Sequence, residues 1–481
     1  MNRNSLPSAV RRALPGPGSL GSGQTLVAGL SGGADSVALL DVLITIGRER
    51  DFAVVAAHLD HRLRPSSRDD ASFCERICRE AGVPLRTGSA DVRGRAERDG
   101  GGIEEAARVE RYAFLSSVKD AAGASFVAVA HTRDDQAETF LLRLLRGAGS
   151  TGLAGMRARS GDVLRPLLGV SRKDVLVHLA ERGLEWREDP SNADPAFARN
   201  RVRRELLPYL EARFNPAVRE ALARTASLLA DEDAAVGGLG RALRERAGRR
   251  EGAWVVLERT ALSEAPRAVA RAALREALEE TGGLRGVGLG HVDRVLDLAG
   301  AAAPSGRRLP LPGGREAAFR FGEVAVGPRR GPARPFALPL DVPGRVSLPE
   351  GGSLEARPVE AGTGCDGMRG GEGGAFELVS APLGAALTVR TRRSGDRVRT
   401  RGRQVSLRRF LMDRRVPAEL RERLPLVAAG SDVLWIAGVP ARDRESDPSG
   451  RGGRDAGEAA RLVGLRLVAG DGGPRGAGSP T

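Results

Sequence analysis

Between Thr25 and Leu40 an apolar run stops at Ser31-Gly32-Gly33, meets a carboxylate at Asp35 and resumes at once as apolar residues. That pattern predicts a buried strand over 25–30 feeding a buried helix from about Ser36 to Ile46. A second strand is expected from Phe52 in FAVVAAHLDH, helices over 68–81 and 103–120, and a further strand, SFVAVAH, ending at His131. In QAETFLLRLLRG, Ala137, Phe140, Leu141, Leu144 and Leu145 recur at helical spacing and predict a stripe facing the core. Strands alternating with helices require parallel pairing through crossovers, so residues 22–212 are expected to form an α/β domain with a doubly wound parallel sheet. Ligands of such sheets bind beyond the carboxyl ends of the strands, which puts the 31–36 turn, HLDH and HTRDD on one rim.

From 213 to 302 the pattern turns helical and rich in Ala, Leu and Arg, predicting a helical middle domain. Residues 303–385, rich in Gly and Pro with short apolar runs, predict linkers and short strands. A small α+β domain is expected over 386–470, a flexible segment over 1–21 and a disordered tail over 471–481. A literal G-x-G-x-x-G at Gly16, Gly18 and Gly21 precedes the first strand instead of following it and lies beside Pro15 and Pro17; it is taken as linker.

The length of 481 residues suggests about three domains. A formal net charge of +14, carried mostly by Arg, points to a polyanionic partner, with compositional drift toward Arg, Gly and Ala as the competing explanation. Only 4% of residues are aromatic, so phosphate contacts and shape are favoured over base stacking. Cys74, Cys78 and Cys365 offer no disulfide framework, and buried thiols are expected of the first two. The chain shows neither a signal-peptide pattern nor a continuous apolar stretch of membrane-spanning length, and a cytoplasmic location is expected.

The turn carries the most chemistry. Gly32 and Gly33 let the backbone present consecutive N–H groups at a helix N-terminus, a cradle for phosphate oxygens to which Ser31 and Ser36 can add hydroxyls. Asp35 beside phosphate would repel it unless a divalent cation lies between, so Mg²⁺ is expected there. A Walker A loop is excluded by the missing Lys. Asp134 and Asp135, at the next strand end, could supply a second carboxylate for the metal or act as helix caps. His58 and His61 are read as belonging to a rim loop that helps to hold the nucleotide, in preference to a zinc site.

S-G-G-A-D-S after a buried strand resembles the PP-loop of the ATP pyrophosphatases. Together with HLDHRLRP, IEEAARVERYAF, HTRDDQAET, RGAGSTGLAGM, RPLLGVSRKDV, EDPSNADPAFARNRVRRELLPYL and the basic stretch from 389, it resembles the bacterial tRNA(Ile)-lysidine synthetases. Two departures stand out: Thr132 follows His131 where the family has a second histidine, and Val405 and Ser406 replace lysines ahead of Leu407.

The resemblance implies an ATP- and Mg²⁺-dependent ligase. The carbon-2 oxygen of the wobble cytidine in tRNA(Ile) with a CAU anticodon is adenylated, and free L-lysine then displaces AMP to give lysidine. ATP is expected on Ser31, Gly32, Gly33, Ala34, Asp35, Ser36 and His58, and Mg²⁺ on Asp35 and Asp135, with His131 and Asp134 as candidates for deprotonating lysine. Arg108, Arg111, Arg199, Arg201, Arg203, Arg392, Arg393, Arg397, Arg408 and Arg409 are expected to contact tRNA, against the alternative of solvated charged faces. A homodimer is left open. The rival functions are a PP-loop base thiolase and a non-catalytic RNA-binding protein; the cysteine spacing argues against the first and the intact motifs against the second.

Overall fold

The computed structural model describes residues 5–63, 67–100, 102–188, 194, 197–302, 306–359, 376–400, 403–439 and 460–468. The chain forms two compact units, Met1–Ala235 and Val236–Thr481. Much of the DPSNADPAF stretch, Cys365 and the 471–481 tail lie outside the described residues.

The first unit runs through α1 (Leu6–Ala13), β1 (Thr25–Gly29), α2 (Ala34–Arg50), β2 (Ala53–Asp60), α3 (Ser67–Ala81), β3 (Leu85–Ser89), α4 (Val92–Asp99), α5 (Ile103–Ala121), β4 (Phe126–Ala128) and α6 (Arg133–Leu145). It continues with α7 (Ser150–Leu153), β5 (Arg159–Ser160), β6 (Val163–Leu164), α8 (Arg172–Arg182), α9 (Ala198–Arg201), a π-helical turn over Val202–Leu206, α10 (Leu207–Arg213) and α11 (Val218–Ala247), which crosses the division between units. The sheet order is β3-β2-β1-β4-β6-β5, parallel except for the β5–β6 pair. Because β2 and β4 flank β1, the direction of winding reverses at β1, and the carboxyl ends of β1 and β4 emerge side by side. The sheet is covered on both faces. Leu26 and Ala28 join Leu39, Leu43, Ile46, Cys74 and Cys78 on one side, while Val27, Ala57 and Val127 meet Leu115 and Val118 on the other. Burying each large aliphatic side chain contributes about 1.5–3 kcal/mol, which makes this rim a rigid platform.

Three expectations need correction here. Residues 5–21 are not a flexible segment: Leu6, Val10 and Leu14 of α1 and its exit, with Leu20, are buried in the main core, and Arg50 donates to the Pro15 and Arg11 carbonyls. The apolar stripe of α6 stops short, since Ala137, Phe140 and Leu141 are buried but Leu144 and Leu145 are 48% and 69% exposed. The change at 212/213 falls inside the first unit because the start of α11 packs Val218 and Leu222 against Leu141, Val202 and Leu207.

In the second unit, β7 (Gly248–Glu251), β8 (Trp254–Glu258), α12 (Arg259–Glu264), α13 (Arg267–Glu280), α14 (Leu289–Gly300), β9 (Arg308–Leu311), β10 (Arg315–Arg320) and β11 (Glu323–Pro328) build a sheet of order β7-β8-β11-β10-β9 covered by helices. The expected boundary at 302/303 cuts this sheet, since β11 pairs with β8. Then follow β12 (Ala337–Leu340), β13 (Gly344–Ser347), β14 (Ser353–Val359), β15 (Glu377–Pro382), β16 (Leu387–Arg390), β17 (Arg397–Thr400), β18 (Arg403–Ser406), α15 (Leu407–Asp413), α16 (Ala418–Arg421), β19 (Leu426–Ala429), β20 (Asp432–Ile436) and β21 (Ala460–Val468). They form sheets of order β12-β16-β19-β20-β17-β18 and β13-β14-β21-β15. A break at 385/386 would therefore separate β12 from β16 and β14 from β21. The short strands expected within 303–385 are present, and they pair into these sheets instead of forming a separate segment.

Candidate active site

The turn after β1 is held by its own hydroxyls. Ser36 Oγ donates to the Gly33 carbonyl at 2.9 Å and accepts from the Ser31 amide at 3.1 Å, and it stands 3.1 Å from Ser31 Oγ, which accepts from the Gly33 amide at 3.4 Å. Ser36 is 5% exposed, so it acts as an internal strut more than as a donor to a ligand, whereas Ser31 is exposed. Gly32 has φ +81°, and a Cβ there would meet Phe73 at 3.3 Å and Cys74 Sγ at 3.4 Å, so the bend requires glycine twice over. Gly33 caps α2, and the amides of Ala34 and Asp35 in its first turn point out of the helix end, where no intrahelical acceptor exists.

Asp35 sits at the mouth of this turn. Its Oδ2 accepts from Arg172 Nη1 at 2.6 Å, while its Oδ1 is buried with no hydrogen-bond partner among the described residues. Burial pushes its pKa up to about 6 against the pull of Arg172, with the neighbouring Asp135 carboxylate adding to the rise. An unpartnered buried carboxylate oxygen at an amide-lined helix end could serve as one oxygen ligand of a hard divalent cation, although no cluster of three or more candidate ligands forms among the described residues.

Asp135 is engaged differently. Its Oδ2 closes a capping box, accepting from the Thr132 amide at 2.8 Å and hydroxyl at 3.0 Å, and its Oδ1 accepts from Arg199 at 2.9 Å and Arg203 at 3.3 Å. Thr132, 1% exposed, thus takes up the N-cap of α6 where the resembling family has a histidine. Although burial pushes Asp135 up, the Arg199 guanidinium and the Thr132 amide hold its carboxyl below the usual range. Both oxygens are already satisfied, so Asp135 fits a metal only if an arginine yields its place.

Asp134 links chain segments: its Oδ2 accepts from the Arg172 amide at 2.9 Å and its Oδ1 from Arg219 at 3.1 Å. His131 is kept neutral by burial, its pKa pushed down to about 4, and its Nδ1 is buried without a partner among the described residues. His58 is 5% exposed and its Nδ1 lies 2.9 Å from the Leu30 carbonyl, so it braces the end of β1 from beneath.

The arginines divide. Arg199 and Arg203, expected on the RNA face, clamp Glu138, whose side chain is 0% exposed, through Nε contacts of 2.8 and 2.5 Å. Arg108 is exposed and lies over the Tyr112 ring at 5.7 Å, Arg111 is exposed near His61, and Arg201 is exposed on α9. In the second unit a cavity of about 760 Å³ is lined by Arg392, Arg393, Arg397, Arg408, Arg421 and Glu422. Arg392 pairs there with Glu422, and Arg409, on α15, is 79% exposed. Ser406 caps α15, accepting from the Arg409 amide at 3.4 Å, and Val405 packs on the Phe410–Leu411 cluster, so both departures serve the local fold. Sequence reasoning missed Arg172, Glu138 and Arg219. Glu138 stands three residues after Asp135 within HTRDDQAET, and Arg199 and Arg203 are four apart, spacings that a pairing argument could have used.

Among the described residues no helix is long and apolar enough to cross a membrane. The PP-loop domain family matches residues 12–210, the TilS substrate binding domain 257–323 and the TilS substrate C-terminal domain 387–454. A tRNA(Ile)-lysidine synthase of Symbiobacterium thermophilum is 38% identical over 486 residues, covering 96% of this chain and 98% of that protein. One of Geobacter sulfurreducens is 38% identical over 426 residues (86% of this chain, 89% of that protein), and one of Thermus thermophilus 42% over 306 residues (63% and 57%).

Proposed function

Because the chain belongs to the tRNA(Ile)-lysidine synthase family, we propose that it joins free L-lysine to the wobble cytidine of tRNA(Ile) with a CAU anticodon, with ATP as the energy source. The observation that carries the site assignment is the orphaned Oδ1 of Asp35 at the mouth of an amide-lined helix end.

In the first step the cytidine carbon-2 oxygen attacks the α-phosphorus of ATP, and the bond to the β-phosphate breaks with its electron pair leaving on pyrophosphate. In this reading the Ala34 and Asp35 amides and the Ser31 hydroxyl receive the departing phosphates, since preorganised donors of this kind stabilise developing charge without reorganising. Mg²⁺ held by Asp35 would neutralise the rest of the phosphate charge. The rigid platform under β1 and β4 keeps these groups in register.

In the second step an amine of lysine, whose unperturbed pKa is about 10.4, must lose a proton before it displaces AMP. His131 is a candidate for receiving it because its Nδ1 has no partner among the described residues, although burial lowers its pKa to about 4 and makes it a weak base. Asp134 already accepts from Arg172 and Arg219. We assign tRNA backbone contacts to the exposed basic residues Arg108, Arg111 and Arg201 of the first unit and to Arg392, Arg393, Arg397, Arg408 and Arg409 of the second.

The test is incubation of the protein with ATP, radiolabelled lysine and tRNAs with and without a CAU anticodon. Label should enter only the CAU tRNA, with AMP and pyrophosphate released in step. Sulfur transfer in place of lysine would identify a thiolase, and tRNA binding without either would identify a binding protein.

A further inference from the structure

Arg172 lies outside the turn and outside the double-aspartate motif, yet its guanidinium covers the acid at the helix mouth, with Nη1 2.6 Å from Asp35 Oδ2. Its main chain is fixed. The Arg172 amide donates to Asp134, Ser171 caps the helix by accepting from the Asp174 amide at 3.1 Å, and further along α8 His178 lies 2.9 Å from Asp41 of α2, which also accepts from Arg182. Its side chain is 38% exposed, against 20% for Asp35, so moving it off the carboxylate would not open the core. Asp35 has one oxygen on this guanidinium and the other on nothing among the described residues, at the helix end where the Ala34 and Asp35 amides face outward.

We propose that Arg172 is a direct ligand of the pyrophosphate portion of the nucleotide, which it takes up in exchange for Asp35. This rests on the assignment of the 31–36 turn to the triphosphate. Without nucleotide, the guanidinium neutralises the carboxylate. As nucleotide enters, the guanidinium moves to the β- and γ-phosphate oxygens and leaves Asp35 to the divalent cation, so that each charge has a partner before and after. The planar fork of arginine suits two phosphate oxygens at once, and its permanent charge adds stabilisation as the bond to the α-phosphorus breaks without any proton changing hands.

Two measurements on the full-length protein test this: binding of inorganic pyrophosphate in saturating Mg²⁺ by calorimetry, and binding of Mn²⁺ alone by electron paramagnetic resonance. In Arg172→Gln, pyrophosphate affinity should fall about tenfold or more, whereas Mn²⁺ affinity should rise because its competitor for Asp35 is gone. A purely structural role would lower both together with the melting temperature. Pyrophosphate affinity unchanged from wild type, or Mn²⁺ affinity unchanged or lowered in a normally melting variant, overturns the proposal. If Arg172→Gln does not fold, Arg172→Lys is read instead. Loss of the fork should then weaken pyrophosphate binding about threefold, and no loss overturns the proposal. A wild-type protein that binds no pyrophosphate at all would instead refute the assignment of the turn, on which this role depends.

Discussion

Arg390 and Asp396 meet fork to fork inside the C-terminal strands, Nη1 to Oδ2 at 2.8 Å and Nη2 to Oδ1 at 2.7 Å, with side chains only 2% and 3% exposed. Asp396 also accepts from the Arg393 amide at 2.6 Å, and Arg390 donates to the Gly430 carbonyl at 2.9 Å. Within a stretch of eleven arginines from 390 to 415, this one holds the fold together and leaves nothing for RNA. Asp396→Ala should strand a buried cation and cost about 3–5 kcal/mol, read as a lowered urea midpoint with an unchanged slope.

Arg408 and Arg409 behave in the opposite way because both side chains are exposed on α15. The double variant Arg408→Ala with Arg409→Ala should move stability by no more than about 0.5 kcal/mol per site while weakening tRNA binding. The slope of log affinity against log salt should shrink by about 0.9 for each phosphate that the variant no longer neutralises. Filter binding across a salt series checks both. Removing 387–481 would be a poorer test, since β12 would lose β16 and β14 and β15 would lose β21.

Burial raises the Asp35 carboxyl from 3.8 to about 6, with Arg172 opposing and Asp135 and Asp134 reinforcing the shift. Between those two values the folded protein keeps a proton that the unfolded chain has lost. The contribution of this group to stability is therefore greatest below the window and falls as pH rises through it. Metal-dependent nucleotide binding should run the other way, strengthening as Asp35 ionises, with a midpoint near 6. His131, at about 4, titrates below that midpoint. Calorimetry with ATP and Mg²⁺ over the mildly acidic range checks this, and Asp35→Asn should flatten the profile.

Asp35→Ala should abolish pyrophosphate release, with a loss on the order of 10²–10³-fold or more, and leave tRNA affinity nearly intact. Pyrophosphate release and filter binding on one preparation separate the two effects. Normal turnover would remove Asp35 from the mechanism.

The rim was legible in the sequence because its signals are local. An apolar strand, two glycines and an acid at a helix start constrain the backbone over a dozen residues, and Gly32 at φ +81° meets that expectation. Partnerships between distant segments were not legible. Arg199 and Arg203 read from the sequence as part of a basic cluster for tRNA, and only the fold inserts Glu138 between them. β10, REAAFR, reads as polar, yet all six of its residues are buried because Glu316 pairs with Arg308, Arg320 with Glu251 and Glu419, and Arg315 donates to carbonyls of Leu278, Pro312 and Gly283. Strands that satisfy charges across a sheet carry no alternating pattern, so the sequence shows short strands over 303–385 but neither their partners nor β7 and β8 inside the expected helical domain. The N-terminal helix was masked in a similar way. Leu6, Val10 and Leu14 have helical spacing, but the prolines and glycines that follow dominated the pattern.

A crystal structure of the protein with ATP and Mg²⁺ tests the central claim most directly. The β- and γ-phosphates should lie against the turn from Ser31 to Ser36 at the start of α2, with the metal on Asp35 Oδ1. Nucleotide bound elsewhere, with this corner empty, would contradict the account.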